Sequence, residues 1–248
     1  MVLPLGDGDT VGIVLPQATD SSLPFQELHA PPADLTVDLF GRAGKIGSGA
    51  AVSPVTRAAV AGECRSWPTG RIRPARSGWR VGFPAGRVNA IPVDSIEGMT
   101  SADSASLVNA ITQNVATLSL ASDPDFRGLP FRVRSAHTFR TDSIAGVIAD
   151  VVRSVPEEAN PRLEHLFVIA ERPAKSTSGY RIAFYSRTAG AEDAAEITEL
   201  LAVVLIGPAK RPVAVVNIEY DEGGKLGLLE RTGPVQWRFR WRSAYTGC

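Results

Sequence analysis

The sequence of 248 residues has few of the side chains that most often bind metals. It has two cysteines and three histidines, and it contains neither a Cys-x-x-Cys nor a His-x-x-x-His spacing. Zinc sites usually take two of their ligands from such a short motif. A Gly-x-Ser-x-Gly motif and a Gly-rich loop followed by lysine are also missing. We therefore expect no metal or other cofactor and favour a protein that is not an enzyme.

Long apolar runs and an excess of either charge are missing as well. The most apolar stretch, residues 200–207, is much shorter than the ~20 residues that span a bilayer, so we expect no membrane span. Basic and acidic residues are equal in number, at 26 each. Nucleic-acid-binding proteins usually carry a clear basic excess, so we expect no nucleic acid partner.

Residues 1–34 predict an extended, proline-rich amino-terminal arm. Its prolines flank one strand-like run, residues 10–15. Such a segment could add to the sheet edge of a neighbouring copy or of a protein partner, and self-association would follow. The alternative is that the segment folds back on its own domain.

Residues 35–122 predict a smaller β-rich region with one helix. Residues 35–40 alternate apolar and polar side chains, and glycine and proline interrupt the short β-like pieces that follow. The helix is predicted near residues 102–118, because capping residues precede it and Leu107, Ile111 and Leu118 recur at helical spacing.

Residues 123–248 predict an antiparallel meander of about eight strands, either separate from residues 35–122 or continuous with them as one domain. Short apolar runs alternate there with turn residues. The runs are residues 131–140, 144–155, 163–171, 180–187, 197–207, 213–220, 226–230 and 235–244. Residues 144–155 also fit helical spacing, but their β-branched content favours a strand. The predicted fold class is mainly β with minor α, and the meander forms a curled sheet or an up-and-down barrel.

The last predicted strand alternates aromatic side chains with Arg238, Arg240 and Arg242. Neighbouring side chains in a strand point to opposite faces. We therefore expect the aromatic residues to pack in the core, while the arginines lie on the solvent face and pair with acids of neighbouring strands.

His137 and His165 are the remaining candidate site residues. Each lies in a predicted strand, where a histidine is most often hydrogen-bonded or exposed at the sheet surface. A hydrolase of unrecognised type would instead place one of them in a cleft, within hydrogen-bond reach of a serine or a carboxylate.

Cys64 and Cys248 are predicted to form a disulfide. A cysteine close to the carboxyl end has little reason to pack there unless it is tied down. The bond would close a long loop and contribute about 4–5 kcal/mol in the chain-entropy model. It would also indicate an exported protein, periplasmic or extracellular, whose signal peptide has been removed. The alternative is a cytoplasmic protein with two free thiols.

Together these features predict an exported, non-enzymatic β-rich binding or interaction module, in which loops or one sheet face form the working surface. If the meander closes, its interior could hold a small apolar ligand. Two alternatives stay open. One is a structural subunit of an extracellular or envelope assembly that uses the amino-terminal arm, and the other is the hydrolase.

Counting thiols tests the predicted disulfide. The chain is unfolded in denaturant and alkylated with and without prior reduction, and its intact mass is measured. We expect no alkylation of Cys64 or Cys248 without reductant and alkylation of both after reduction. Two alkylated cysteines in the unreduced chain would contradict the disulfide and the argument for export.

Overall fold

A computed structural model describes residues 1–5, 10–14, 34–56, 60–61, 64–65, 67–118, 124–155, 161–191, 195–220 and 223–247. It confirms a mainly β protein with antiparallel sheets, a carboxyl-terminal meander and one α-helix.

The amino-terminal strands form a closed six-stranded barrel. Its strands are β1 (Val2–Leu5), β2 (Thr10–Ile13), β3 (Asp34–Gly41), β4 (Gly44–Thr56), β7 (Thr69–Arg73) and β8 (Val81–Pro84). The order around the barrel is β1-β2-β7-β4-β3-β8, and Val11, Leu39 and Ile72 are buried in its core. A small hairpin, β5 (Val60–Ala61) and β6 (Cys64–Arg65), comes between β4 and β7 in the chain.

The strand-like run of the predicted arm lies in this barrel. β2 pairs with β1 on one side and with β7 on the other, so both of its edges are occupied within its own chain. This is the alternative in which the segment folds back. Residues 15–33, which complete the predicted arm, lie outside the described residues.

All eight strands of the predicted meander are present. They are β11 (Arg132–Arg140), β12 (Ile144–Val155), β13 (Arg162–Pro173), β14 (Arg181–Ala191), β15 (Ile197–Ile206), β16 (Arg211–Tyr220), β17 (Gly223–Gly233) and β18 (Gln236–Arg242). The strand assignment of residues 144–155 is therefore confirmed.

The meander divides between β14 and β15 into two five-stranded sheets and does not close into a barrel. Sheet I has the order β18-β17-β16-β15-β9, with β9 at Val88–Ile91, and sheet II has the order β10-β11-β12-β13-β14, with β10 at Val93–Ser95. The physical reason lies in the central strands, where every residue from 144 to 151 is buried. A strand that is apolar on both faces needs a covering layer on each side.

Three apolar cores lie between these layers and hold them together. The two sheets face each other through residues such as Ile148, Phe167 and Val216, which fill the space between them. The outer face of sheet I packs on the barrel. Helix α1 (Ser101–Ala116) covers the outer face of sheet II, with Leu107 and Ile111 among its buried residues. The predicted helix is therefore present. The apolar-ligand interior was expected only for a closed meander; the meander forms two sheets instead, and side chains fill the space between them.

The last strand, β18, contributes to two of these cores. Trp237 and Phe239 pack between the two sheets, whereas Trp241 packs between sheet I and the barrel. A register shift between Leu228 and Leu229 of β17 leaves Arg240 as an extra residue in β18, and a bulge of this kind reverses the facing of the residues beyond it. The expectation that all three aromatic residues share one face is therefore wrong.

A buried carboxylate joins the two sheets. Glu171 of sheet II accepts hydrogen bonds from Arg231 (2.8 Å from Nη2), from Trp237 Nε1 (2.8 Å) and from the backbone N–H of Val235 (2.6 Å), all in sheet I or its last turn. Burial raises the pKa of Glu171, but the hydrogen bonds from Arg231, Trp237 and Val235 outweigh this and hold the pKa below its ordinary value. The carboxylate is thus the form that the fold requires.

Replacing Glu171 should weaken the contact between the sheets. We expect Glu171→Ala to lower the free energy of unfolding by about 3 kcal/mol, because Arg231 and the indole N–H lose a buried partner. Because the folded pKa is depressed, the contribution of Glu171 is fully present above about pH 4.5 and is lost as the pH falls through the folded pKa. Urea unfolding from pH 7 to pH 3 measures both effects.

Glu219→Gln is the matched control, since Glu219 is exposed at the end of β16. It should change the free energy of unfolding by less than about 0.5 kcal/mol. Equal losses in the two variants, or a Glu171→Ala loss that does not shrink in acid, would contradict the proposed bond.

Candidate functional site

The two-sheet sandwich is closed on one side and open on the other. On the closed side the chain passes directly from β9 at the edge of sheet I to β10 at the edge of sheet II. On the open side the outermost strands are β18 and β14, which lie against each other where Phe184 and Phe239 meet at 5.5 Å. We call this the open side of the sandwich. No described strand pairs with the outer edge of β14 or of β18.

The β18 edge carries the three arginines singled out from the sequence. Arg240 lies in the bulge, 3.6 Å from a carboxylate oxygen of Glu230, and Arg242 stacks 3.7 Å from the ring centre of Phe239. Arg238 is exposed. A bulge and a row of charges are the usual means by which proteins protect an exposed strand edge from pairing with other chains.

The β14 edge has much less of this protection. It is 11 residues long, with the sequence RIAFYSRTAGA, and contains no proline, lysine or acid. Its register shift against β13 lies near its start, between Ile169 and Ala170 of β13, and the remaining residues pair in regular order. Tyr185 is 42% exposed, which is among the highest values of any large apolar or aromatic side chain in the described residues. A long, regular edge of this kind is a template for another strand.

A buried cluster of charge lies behind this edge on the face of sheet II that carries α1. Glu164 is fully buried and accepts hydrogen bonds from Arg153 on β12 and from Arg187 on β14. Arg153 also lies over the rings of Phe131 (4.5 Å) and Phe126 (5.8 Å). Two guanidinium groups thus share one carboxylate, which leaves the trio with one unit of positive charge.

Arg187 does not use all of its hydrogen-bond donors. Its Nε binds Glu164, while its Nη2 is buried and has no acceptor among the described residues. Buried donors are nearly always paired, so a donor without an acceptor marks a place where a further group could bind. The side chain is 23% exposed, which leaves part of this edge arginine open to solvent.

The structure places His165 beside an acid. His165 Nε2 lies 2.6 Å from Asp150 Oδ1 on the face of sheet II that meets sheet I, although neither atom has a well-aligned hydrogen bond. Arg134 Nε lies 3.4 Å from the other oxygen of Asp150. Among the described residues, no serine or threonine hydroxyl bonds to His165, which is only 2% exposed. The pair therefore satisfies one part of the geometry expected for a hydrolase and lacks access from solvent.

His137 lies at a different junction, where the two sheets and the barrel meet. Burial lowers the pKa of its imidazole, and the positive charge of Arg42 lowers it further. Arg42 donates to Leu200 O (3.0 Å) and, together with Arg80, contacts Oε1 of Glu199 at 2.7 and 2.6 Å. These bonds fasten the barrel to sheet I. His137 and His165 are thus in separate clusters.

The predicted disulfide falls outside the described residues. The backbone of Cys64 lies in β6, and its side chain and the whole of Cys248 fall outside the described residues. In the described part of the chain, His, Cys, Asp and Glu side chains form no group that could hold a metal ion. None of the described helices is long and apolar enough to cross a membrane.

Comparisons with known proteins add no further constraint. No family model, no curated protein and no solved structure matches this chain.

Sequence reasoning did not single out Glu164, Arg187 or the β14 edge. The clearest sequence signal for the buried charge cluster was Glu164, an acid that lies beside a run of apolar residues on a predicted strand. Arg153 lies in the predicted strand before that of Glu164, and Arg187 lies in the predicted strand after it. The edge position of β14 was hidden, because a single curled sheet would have paired β14 with β15.

Titration of His137 tests the geometry of the junction. We expect its pKa, measured by NMR from the imidazole resonances, to lie below 6.5. Arg42→Gln should raise the pKa towards 6.5 by removing a neighbouring positive charge. Because the folded pKa is depressed, this histidine favours the folded state above pH 6.5 and that contribution is lost as the pH falls through the folded value.

Arg140→Gln serves as the control, since Arg140 is exposed on the same strand. It should leave the pKa of His137 unchanged. A His137 pKa at or above 6.5 in the unmodified protein would contradict a buried imidazole beside Arg42.

Proposed function

We propose that this protein is an exported, non-enzymatic binding module that takes an extended segment of a partner protein as an additional strand on β14. The observation that carries the proposal is the outer edge of β14, a strand of 11 residues. Its inner edge pairs with β13, and no described strand pairs with its outer edge. Strand addition gives affinity through backbone hydrogen bonds and specificity through the side chains beside them.

The surrounding structure favours β14 over the other edges. The closed side offers only β9 and β10, which have four and three residues. β18 has seven residues and the bulge at Arg240, which interrupts regular pairing. β14 is the longest of the four edges. It pairs with β13 along its inner side, so an added strand would extend sheet II by one strand.

Other partners fit the same observations less well. A second copy of the chain, as in the assembly hypothesis, would bring β14 against β14 and place like-charged arginines on facing strands, which is unfavourable. The hydrolase alternative depends on His137 or His165, and both histidines are buried, the latter beside Asp150. A small apolar ligand fits the hollow between α1 and sheet II poorly, because this hollow, which Ile111, Ala149 and Ala170 help to line, has a volume of about 10 Å³, enough for about one water molecule.

Proline substitutions in β14 test strand addition. Neighbouring residues in a strand direct their N–H groups to opposite sides, so one of Tyr185 and Ser186 donates to β13 and the other points to the open side. We therefore expect one of Tyr185→Pro and Ser186→Pro to be clearly destabilised and the other to be tolerated, because edge strands accept proline at an outward N–H.

The tolerated variant should no longer accept a strand. The probe is a short capped peptide in which valine alternates with threonine, and the readout is amide hydrogen exchange across β14 by NMR. In the unmodified protein the peptide should slow exchange of the outward β14 amides. The alanine variant at the same position, which retains the N–H, should behave like the unmodified protein. Equal protection in the tolerated proline variant would contradict strand addition.

A further inference from the structure

We infer that the partner strand carries a glutamate or aspartate directly opposite Arg187, on the side of sheet II that faces α1, and that its carboxylate completes the pairing of Arg187. This inference rests on the proposed strand addition and names the chemistry of the partner.

The first support is the unbalanced charge behind the edge. Glu164 neutralises one of the two guanidinium groups that it contacts, and Arg153 and Arg187 together carry one charge more than it does. Arg187 Nη2 has no acceptor in the described structure. A buried positive charge that is only partly compensated is unfavourable, so an additional carboxylate at this point would be bound strongly.

The second support is position. Arg187 lies on the edge strand itself, where it pairs with Leu166 of β13 on its inner side. A residue added on the outer side would have its Cβ about 5 Å from that of Arg187. A glutamate or aspartate side chain at that place would approach the exposed part of Arg187, and the planar guanidinium can bind a carboxylate through two parallel hydrogen bonds.

The third support is the charge of the open side as a whole. The two strands β14 and β18 together contain five arginines and no acid, although the whole chain has no net charge. The open side is therefore locally basic. This distribution attracts an acidic segment and opposes the pairing of two identical copies.

Arg181 supplies an internal comparison. It lies on the same edge strand, opposite Glu171 of β13, and is exposed on the face that meets sheet I. No ion pair or hydrogen bond holds its side chain among the described residues, and no buried carboxylate is shared with a second arginine there. Arg181 can attract an acid through its charge but lacks the incomplete buried cluster that distinguishes Arg187.

The experiment compares two peptides on the full chain. One is the valine–threonine peptide, and the other replaces its central threonine by glutamate. Affinities are measured by NMR titration of the β14 amides. We expect the glutamate peptide to bind about tenfold more tightly, as a charge-assisted hydrogen bond allows. Arg187→Gln should reduce this ratio to about one, whereas Arg181→Gln should leave most of it.

Arg187→Lys separates the effect of the positive charge from the effect of the guanidinium geometry. It retains the charge without the two-pronged geometry, so it should keep a ratio between those of the unmodified protein and of Arg187→Gln. Retention of native amide dispersion in each variant confirms that it is folded. The ratio is independent of general destabilisation, because both peptides meet the same variant.

The outcomes separate the two proposals. Equal affinity of the two peptides, or a full ratio in Arg187→Gln, would overturn the acidic partner while leaving strand addition in place. Failure of both peptides to protect β14 would overturn strand addition itself. If a short single-stranded oligonucleotide protects the same amides better than the glutamate peptide does, the ligand of the basic edge is a phosphate group and the acidic partner strand is overturned. Protection that appears with protein concentration alone, together with dimers in light scattering, would assign it to a second copy.

Discussion

The relation between the two sheets depends on one carboxylate, that of Glu171. A charged group in this position is costly to bury, and it is accepted because Arg231, Trp237 and the N–H of Val235 all donate to it. Val235 has a positive φ of 52°, which is unfavourable for a β-branched residue, and its bond to Glu171 holds the turn in this conformation. The start of β18 is thereby fixed over the end of β13, and the open side takes its shape from this point.

The layered architecture follows from strands that are apolar on both faces. Each of the two sheets has to be covered twice, and the barrel, the opposite sheet and α1 supply the covers. Two five-stranded sheets then expose four edge strands, whereas a closed eight-stranded barrel would expose none. The chain keeps two of these edges short, since β9 has four residues and β10 has three, and it interrupts β18 with a bulge. β14 also has a register shift, but beyond it the strand pairs without interruption from Phe184 to Ala191, which makes it the longest regular edge.

The elements of this fold could be predicted from local pattern, but their association could not. Residues 144–155 were assigned correctly because their β-branched side chains favour a strand, and the helix was found from its caps and spacing. The division at β14 and β15 depends on which faces are covered by other layers, which is a property of the assembled chain. Likewise, Arg238, Arg240 and Arg242 were visible as a pattern, whereas the Arg153–Glu164–Arg187 cluster joins three strands and has no local signature. The bulge at Arg240, which separates Trp241 from Phe239, was also invisible to simple alternation.

The strand that runs from β9 into β10 has a consequence for motion. β9 belongs to sheet I and β10 to sheet II, so the backbone at Pro92 links the two sheets on this side. On the opposite side the edge strands β14 and β18 meet through side chains, among them Phe184 against Phe239. Slow opening of the two sheets relative to each other should therefore have a smaller amplitude at Pro92 than at the contact between β14 and β18.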